Sequence, residues 1–211
     1  MINFFNYIYI EVRIINHMIG KKEEIKAFMG VSLRNPFYSK KENILKAISL
    51  AKDFNEFLIF VVDSPYRLSL QAFNHMSLEE AEKISLKEGK ELKLFLTKLT
   101  KKFKFVKISS FKELENEDYK NILSEIKELE SQDKTFSELI KKEFTGTIIS
   151  KLKGDKKKEN LCMGFILEEV AMFCSLFNRG YSFRISKYPA SKSIAYYLKN
   201  KPLLLKHIQL K

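Results

Sequence analysis

Short apolar runs alternate along the chain with longer stretches whose apolar residues recur at helical spacing. "IKAFMGVS" (25–32), "FLIFVV" (57–62) and "KFVKIS" (104–109) are too short for core helices and rich in β-branched and aromatic residues, so each predicts a strand. A later run, "SFRISKY" (182–188), predicts a fourth. Their near-continuous apolarity points to strands buried on both faces, as in a parallel sheet.

Helix starts are marked between them. Ser39-Lys40-Lys41-Glu42, Ser77-Leu78-Glu79-Glu80 and Ser110-Phe111-Lys112-Glu113 each put a serine three residues before a glutamate. In that pattern hydroxyl and carboxylate satisfy the free N–H groups of a first helical turn. They predict a helix to about residue 53, a long one over about 76–103, and a third opening at 110. A short helix is expected over 66–75 and a surface-exposed helical stretch over 114–142. "KGDKKKEN" (153–160) predicts a loop, followed by an almost wholly apolar helix over 161–177 that Asn178-Arg179-Gly180 stops. A last helix is expected to start near Ser191 or Ser193.

Strand and helix repeated in this order predict an α/β fold with a mostly parallel sheet and helices on both faces. Such sheets bind ligands beyond the carboxyl ends of their strands. Ser32, Asp63 and Tyr188 all stand at predicted strand ends, so they are expected on one edge.

With 211 residues, 45% of them hydrophobic, the chain suits one domain, expected over 25–211 behind an extension over 1–24. The extension is apolar but broken by Glu11 and Arg13, and no stretch is expected to cross a membrane. Two cysteines, Cys162 and Cys174, cannot make a disulfide framework, which favours a reducing, cytoplasmic setting. The 38 Lys and Arg against 26 Asp and Glu give a net charge of +12, a balance suited to a polyanionic partner.

The chemistry is narrowed by missing signatures. There is no G-x-G-x-x-G, Walker A, C-x-x-C or H-E-x-x-H pattern, and the three histidines, His17, His75 and His207, are scattered. Neither a metal, nor a nucleotide cofactor, nor a Ser-His-Asp triad is expected. On the long helix, Ala81, Ile84, Leu92, Phe95, Leu96, Leu99 and Phe103 form the expected apolar stripe at about 100° per residue. Lys83, Lys87, Lys90, Lys98 and Lys101 fall roughly opposite, either a plain solvated face or a contact for a phosphate backbone. In "LCMGFILEEVAMFCSLF", Glu168 and Glu169 interrupt an apolar helix. A carboxylate on an apolar face costs several kcal/mol unless paired. Glu169 therefore wants a cation: Arg34, Arg67 or Arg184, or the ammonium group of a ligand.

"GVSLRNPFYS" (30–39), "FILEEVAMF" (165–173) and "KYPAS" (187–191) together resemble, in order and spacing, the motifs of cyclodipeptide synthases. The resemblance covers 25–195. It implies a Rossmann-like fold similar to class I aminoacyl-tRNA synthetase catalytic domains, with no cofactor. It implies two aminoacyl-tRNAs as substrates, a 2,5-diketopiperazine as product, a monomer and no membrane. Carried onto this chain, Ser32 is the nucleophile that takes the first aminoacyl group as an ester. Glu169 holds the substrate ammonium, Tyr188 moves protons, and Lys83, Lys87, Lys90, Lys98 and Lys101 meet the tRNA. Asn35 and Pro189 belong to the same motifs, with Tyr188-Pro189 pointing to the Tyr-Pro subfamily. The tyrosine of the helix motif stands here as Phe165, with Tyr181 the candidate replacement hydroxyl. Val31, Leu33, Val62 and Ile185 are expected to line the pocket for the first aminoacyl group. An aminoacyl-tRNA is already an activated ester, so serine needs no strong base beside it. A non-catalytic RNA-binding or regulatory domain using the lysine helix is the other reading of the same charge.

Overall fold

The computed structural model describes residues 25–145, 154–199 and 205–210. The expected extension over 1–24 therefore lies outside the described residues. Five strands, β1 (Lys26–Ser32), β2 (Glu56–Val62), β3 (Val106–Ser110), β4 (Tyr181–Ser186) and β5 (Lys206–Gln209), pair in the order β3-β2-β1-β4-β5. Every pairing is parallel. The strand order reverses at β1, where crossovers run outward in both directions. A crevice at the carboxyl edge beside β1 follows from that topology.

The helices are α1 (Lys41–Leu50), α2 (Tyr66–Asn74), α3 (Leu78–Thr100), α4 (Phe111–Leu114), α5 (Glu117–Gln132), α6 (Lys134–Thr145), α7 (Lys156–Asn178) and α8 (Lys192–Tyr197). Two cores lie on the two sides of the sheet, an upper one against α5, α6 and α7 and a lower one against α1 and α3. Phe28, Leu58, Phe60 and Val62 face α5, α6 and α7, where Phe173 stacks on Phe28 at 5.5 Å between ring centroids. Ala27, Met29, Val31, Phe57, Ile59, Val61, Phe183 and Ile185 face the other way, onto α1 and Leu96 of α3. Alternate residues of one strand must enter opposite cores, because successive side chains leave a strand on opposite faces.

The sequence expectations hold for the first four strands within about two residues, whereas β5 has no counterpart among them. At four residues and with His207 inside it, β5 carries too little pattern to see. Two of the three expected serine-glutamate caps form. Ser77 Oγ accepts from the Glu80 N–H while the Glu80 carboxylate accepts from the Ser77 N–H, and Ser110 and Glu113 do the same. At Ser39 the cap does not form, because its hydroxyl donates to the Pro36 carbonyl at 2.9 Å and Lys40 takes the cap position.

Three further expectations are corrected. The middle stretch is not a plain surface element, since Tyr119, Ile122, Ile126, Phe136 and Ile140 are buried against α7. Half of the expected loop is helix, because Asp155 accepts from the Lys157 and Lys158 N–H groups and starts α7 at Lys156. So lengthened, α7 is 23 residues and apolar enough to cross a membrane by length and composition, contrary to expectation. It is instead the packed helix of the fold, with Leu167 to Leu176 almost entirely in the core except at Glu169. Cys162 and Cys174 are free and buried on it.

Candidate active site

The turn after β1 sets up the first side chain. Val31 and Leu33 point into the lower core, so Ser32 between them points to the α7 side. Two residues earlier on that side stands Gly30. A β-carbon there would come within 3.2 Å of Phe60 and 3.3 Å of Val62, so glycine keeps this strip of the sheet open. The chain then turns back: Arg34 takes a left-handed φ of 55°, and the Asn35 carbonyl accepts from the N–H groups of Tyr38 and Ser39. Asn35 Oδ1 accepts from the Phe37 N–H at 3.0 Å, which fixes the amide, and its Nδ2 donates to the Tyr188 hydroxyl at 2.8 Å.

The end of β4 supplies the opposing wall. Arg184 and Ser186 face the α7 side while Phe183 and Ile185 enter the lower core. Ser186 Oγ accepts from the Tyr188 N–H at 3.0 Å, which bends the chain over the sheet edge. The buried Tyr38 packs beneath, with the Lys187 N–H at 3.5 Å from its hydroxyl. Burial raises the pKa of that hydroxyl, so it stays protonated.

Between these walls and α7 opens a cavity of about 700 Å³. Ser32 and Tyr188 stand on it with Gly30, Phe165, Glu169, Arg184 and Pro189. The Ser32 hydroxyl is half-buried and makes no hydrogen bond among the described residues. Glu169 projects from α7 into the same space, also without a hydrogen bond among the described residues. Burial pushes its carboxyl up to about 7, against the pull of the Arg184 charge. Arg184 lies over the Phe173 ring, 4.4 Å from its centroid, and its burial lowers its pKa while Glu169 raises it.

The neighbouring Glu168 behaves differently. Arg67 holds it in a two-pronged ion pair, Nη1 at 3.0 Å and Nη2 at 2.7 Å, and Arg34 is taken by Glu88. Of the three arginines expected as partners for Glu169, only Arg184 acts on it, through charge without a hydrogen bond.

Several expected site residues lie elsewhere. Val31, Leu33 and Ile185 do not line the cavity, because strand alternation sends them to the lower core. Val62 is fully buried in the upper core and stops short of the cavity wall. Tyr181 sits at the opposite end of β4 and donates to Glu56, so it cannot replace a hydroxyl missing at Phe165. Asp63 reaches the carboxyl edge but is buried there, accepting from the Ser64 and Lys112 N–H groups at 2.8 and 3.2 Å. Its closeness to α3 requires Gly89, where a β-carbon would fall 2.4 Å from that of Asp63.

Lys83, Lys87, Lys90 and Lys98 on α3 and Lys101 at its C-cap are all exposed. Phe95 does not join the buried stripe. It is 41% exposed beside Leu94 at 54%, because Ala81, Ser85, Gly89, Leu96 and Thr100 form the contact face instead.

Sequence reasoning missed Tyr38, Glu143, Ser186 and Ser191 on the cavity. Only "FRIS" carried a signal, since Arg184 and Ser186 alternate with two apolar residues and so share one face. No metal-binding cluster of three or more His, Cys, Asp or Glu occurs among the described residues.

No family model matches the chain and no curated protein matches it in sequence. Solved structures do. A cyclodipeptide synthase from Fluoribacter dumoffii is 20% identical over 89% of each chain, with a TM-score of 0.77. One from Candidatus Glomeribacter gigasporarum, bound to Phe-tRNAPhe, is 15% identical over 95% of this chain and 93% of that one, at 0.70. The tyrosyl-tRNA synthetase from Archaeoglobus fulgidus, complexed with L-tyrosine, is 12% identical over 94% of this chain and 58% of its own, at 0.62. The fold is therefore the Rossmann-like one of class I synthetase catalytic domains. Within that class, it is shared over nearly its whole length with cyclodipeptide synthases.

Proposed function

We propose that this chain is a tRNA-dependent cyclodipeptide synthase that joins two aminoacyl groups into a 2,5-diketopiperazine through an ester on Ser32. The observation that carries the reading is the pairing, on one cavity, of a serine hydroxyl and a part-buried carboxylate, neither hydrogen-bonded among the described residues. Such groups are costly to leave alone, and an aminoacyl ester presents partners for both. Its ammonium suits Glu169, and its carbonyl carbon suits Ser32 Oγ.

In the first step the Ser32 Oγ–carbonyl bond forms, the bond to the tRNA ribose oxygen breaks, and that oxygen takes the serine proton. Ester is exchanged for ester, so no ATP is consumed. A second aminoacyl-tRNA completes the peptide bond, and the dipeptidyl ester closes through its free amine. Tyr188, held by Asn35 at 2.8 Å, is the hydroxyl placed to pass protons in these later steps. Phe165 packs beside Glu169 without a hydroxyl to offer, so positioning of the ammonium rests on Glu169. The lysines of α3 meet the phosphates of the tRNA, and the cytoplasm is where such substrates occur. Pro189 after Tyr188 supports the Tyr-Pro arrangement, whereas Asn35, three residues after the serine, is typical of the Tyr-His subfamily.

The test is incubation with aminoacyl-tRNA labelled on the amino acid, followed by denaturing gel and product analysis. Label is expected on the protein and absent from Ser32→Ala, which should keep its melting temperature because the hydroxyl makes no hydrogen bond among the described residues. Equal labelling of the mutant would remove Ser32 from its role. Salt-sensitive tRNA binding with neither label nor diketopiperazine would favour the non-catalytic RNA-binding reading instead.

A further inference from the structure

Resting on that reading, the charges of the cavity bear on which amino acids it joins. Across the cavity the Arg184 cation and the Glu169 carboxylate offset one another. When a substrate ammonium takes Glu169, Arg184 is left as a part-buried cation with its main counter-charge engaged elsewhere. An uncompensated buried charge is strongly unfavourable. Glu143 also acts on Arg184 by charge, more weakly than Glu169, while its two carboxylate oxygens accept from Ser191 Oγ and from the Ser193 N–H and hydroxyl.

The surroundings of Arg184 repeat the message. It pairs in register with Phe28 of β1, four residues below Ser32, which is on the order of 13 Å along the strand. It thus sits at the deep end of a cavity whose mouth holds the nucleophile. From there a side recess of about 80 Å³ continues to His207, its register partner on β5. Both ring nitrogens of His207 are buried without a hydrogen bond, and Arg184 makes none among the described residues. Burial and then the Arg184 charge lower the His207 pKa against the pull of the Tyr188 backbone, so the ring is neutral and offers one N–H. A guanidinium fork and an imidazole N–H on neighbouring strands, with no side-chain acceptor on either among the described residues, are the donor set for a carboxylate.

We infer that the cavity selects an aminoacyl group with a carboxylate side chain, glutamyl or aspartyl, whose carboxylate is received by Arg184 with His207 behind it. The four charges then close: Glu169 with the ammonium, Arg184 with the side chain.

The wild-type chain supplied with tRNAs charged with all amino acids, with products read by mass spectrometry, is expected to yield a diketopiperazine containing Glu or Asp. Arg184→Gln should lower the rate with glutamyl-tRNA relative to tRNA misacylated with glutamine by roughly 10- to 100-fold, the worth of a charged hydrogen bond. Arg184→Lys, which keeps the charge, should retain the acidic preference in part. A wild-type product made only of uncharged residues would overturn the inference and leave the synthase reading standing. So would an unchanged glutamate-to-glutamine ratio in Arg184→Gln. Absence of any product or acyl-protein with every aminoacyl-tRNA would overturn the synthase reading, and the side-chain assignment with it.

Discussion

The two sides of α7 handle adjacent glutamates in opposite ways. Toward α2, Glu168 is buried in a two-pronged pair with Arg67, whose Nη1 also donates to the Ser64 carbonyl at 2.6 Å. Charge and hydrogen bonds are satisfied, and the pair clamps α2 onto α7. Toward the sheet, Glu169 meets open space, one cation without a hydrogen bond, and a pKa pushed up to about 7 by burial. The first arrangement is what folding selects. The second is stable only because the rest of the core holds it, and it becomes favourable when a ligand enters.

Removing Glu168 should show the structural side at its largest. Glu168→Ala leaves Arg67 buried against an apolar helix and is expected to cost about 3 kcal/mol in chemical denaturation, somewhat less than a fully buried pair because Arg67 keeps some exposure. The acyl-protein formed per folded molecule should be unchanged. A loss of labelling greater than the loss of fold would break the division between the two sides.

Glu169→Gln should do the reverse. A carboxyl whose folded pKa lies near 7, above its unfolded value, penalises the fold when ionised, so stability falls as pH rises between those two values. Glu169→Gln is therefore expected to gain about 3 kcal/mol at pH 8 and nothing near pH 4. Aminoacylation of Ser32 should be lost in the same variant. In the wild type, labelling should decline as pH falls through about 7, because the protonated carboxyl cannot hold an ammonium. A labelling rate flat from pH 6 to 8 would show that Glu169 does not carry the ammonium.

The smallest effect is expected at the rim. Asn35→Ala removes the bond to the Tyr188 hydroxyl and the Phe37 N–H acceptor, a loss of about 1 kcal/mol or less at this partly exposed turn. Acyl-protein should accumulate while diketopiperazine release slows, since Tyr188 serves the later steps. Equal slowing of both stages would place Asn35 with Ser32 instead.

Much of this layout was legible before folding. Four strands, two glutamate-serine caps, and the placement of Ser32 and Tyr188 at strand ends follow from local pattern, because strand period and cap chemistry are properties of a few consecutive residues. That Val31 and Leu33 could not share the face of Ser32 was also legible, since alternation alone forbids it. The short β5 and the burial of α5 and α6 were not, because both depend on partners far away in sequence.

The sequence by itself determined that a serine would close a buried strand and that two carboxylates would interrupt an apolar helix. Only the tertiary structure decided which carboxylate was neutralised. Glu168 and Glu169 are about 100° apart on α7, and nothing local ranks one face above the other. The choice was made by Arg67 on α2 and Arg184 on β4, brought to opposite sides of one helix by the packing of the sheet. An ion pair's worth depends on distance and burial, and those are properties of the assembled fold.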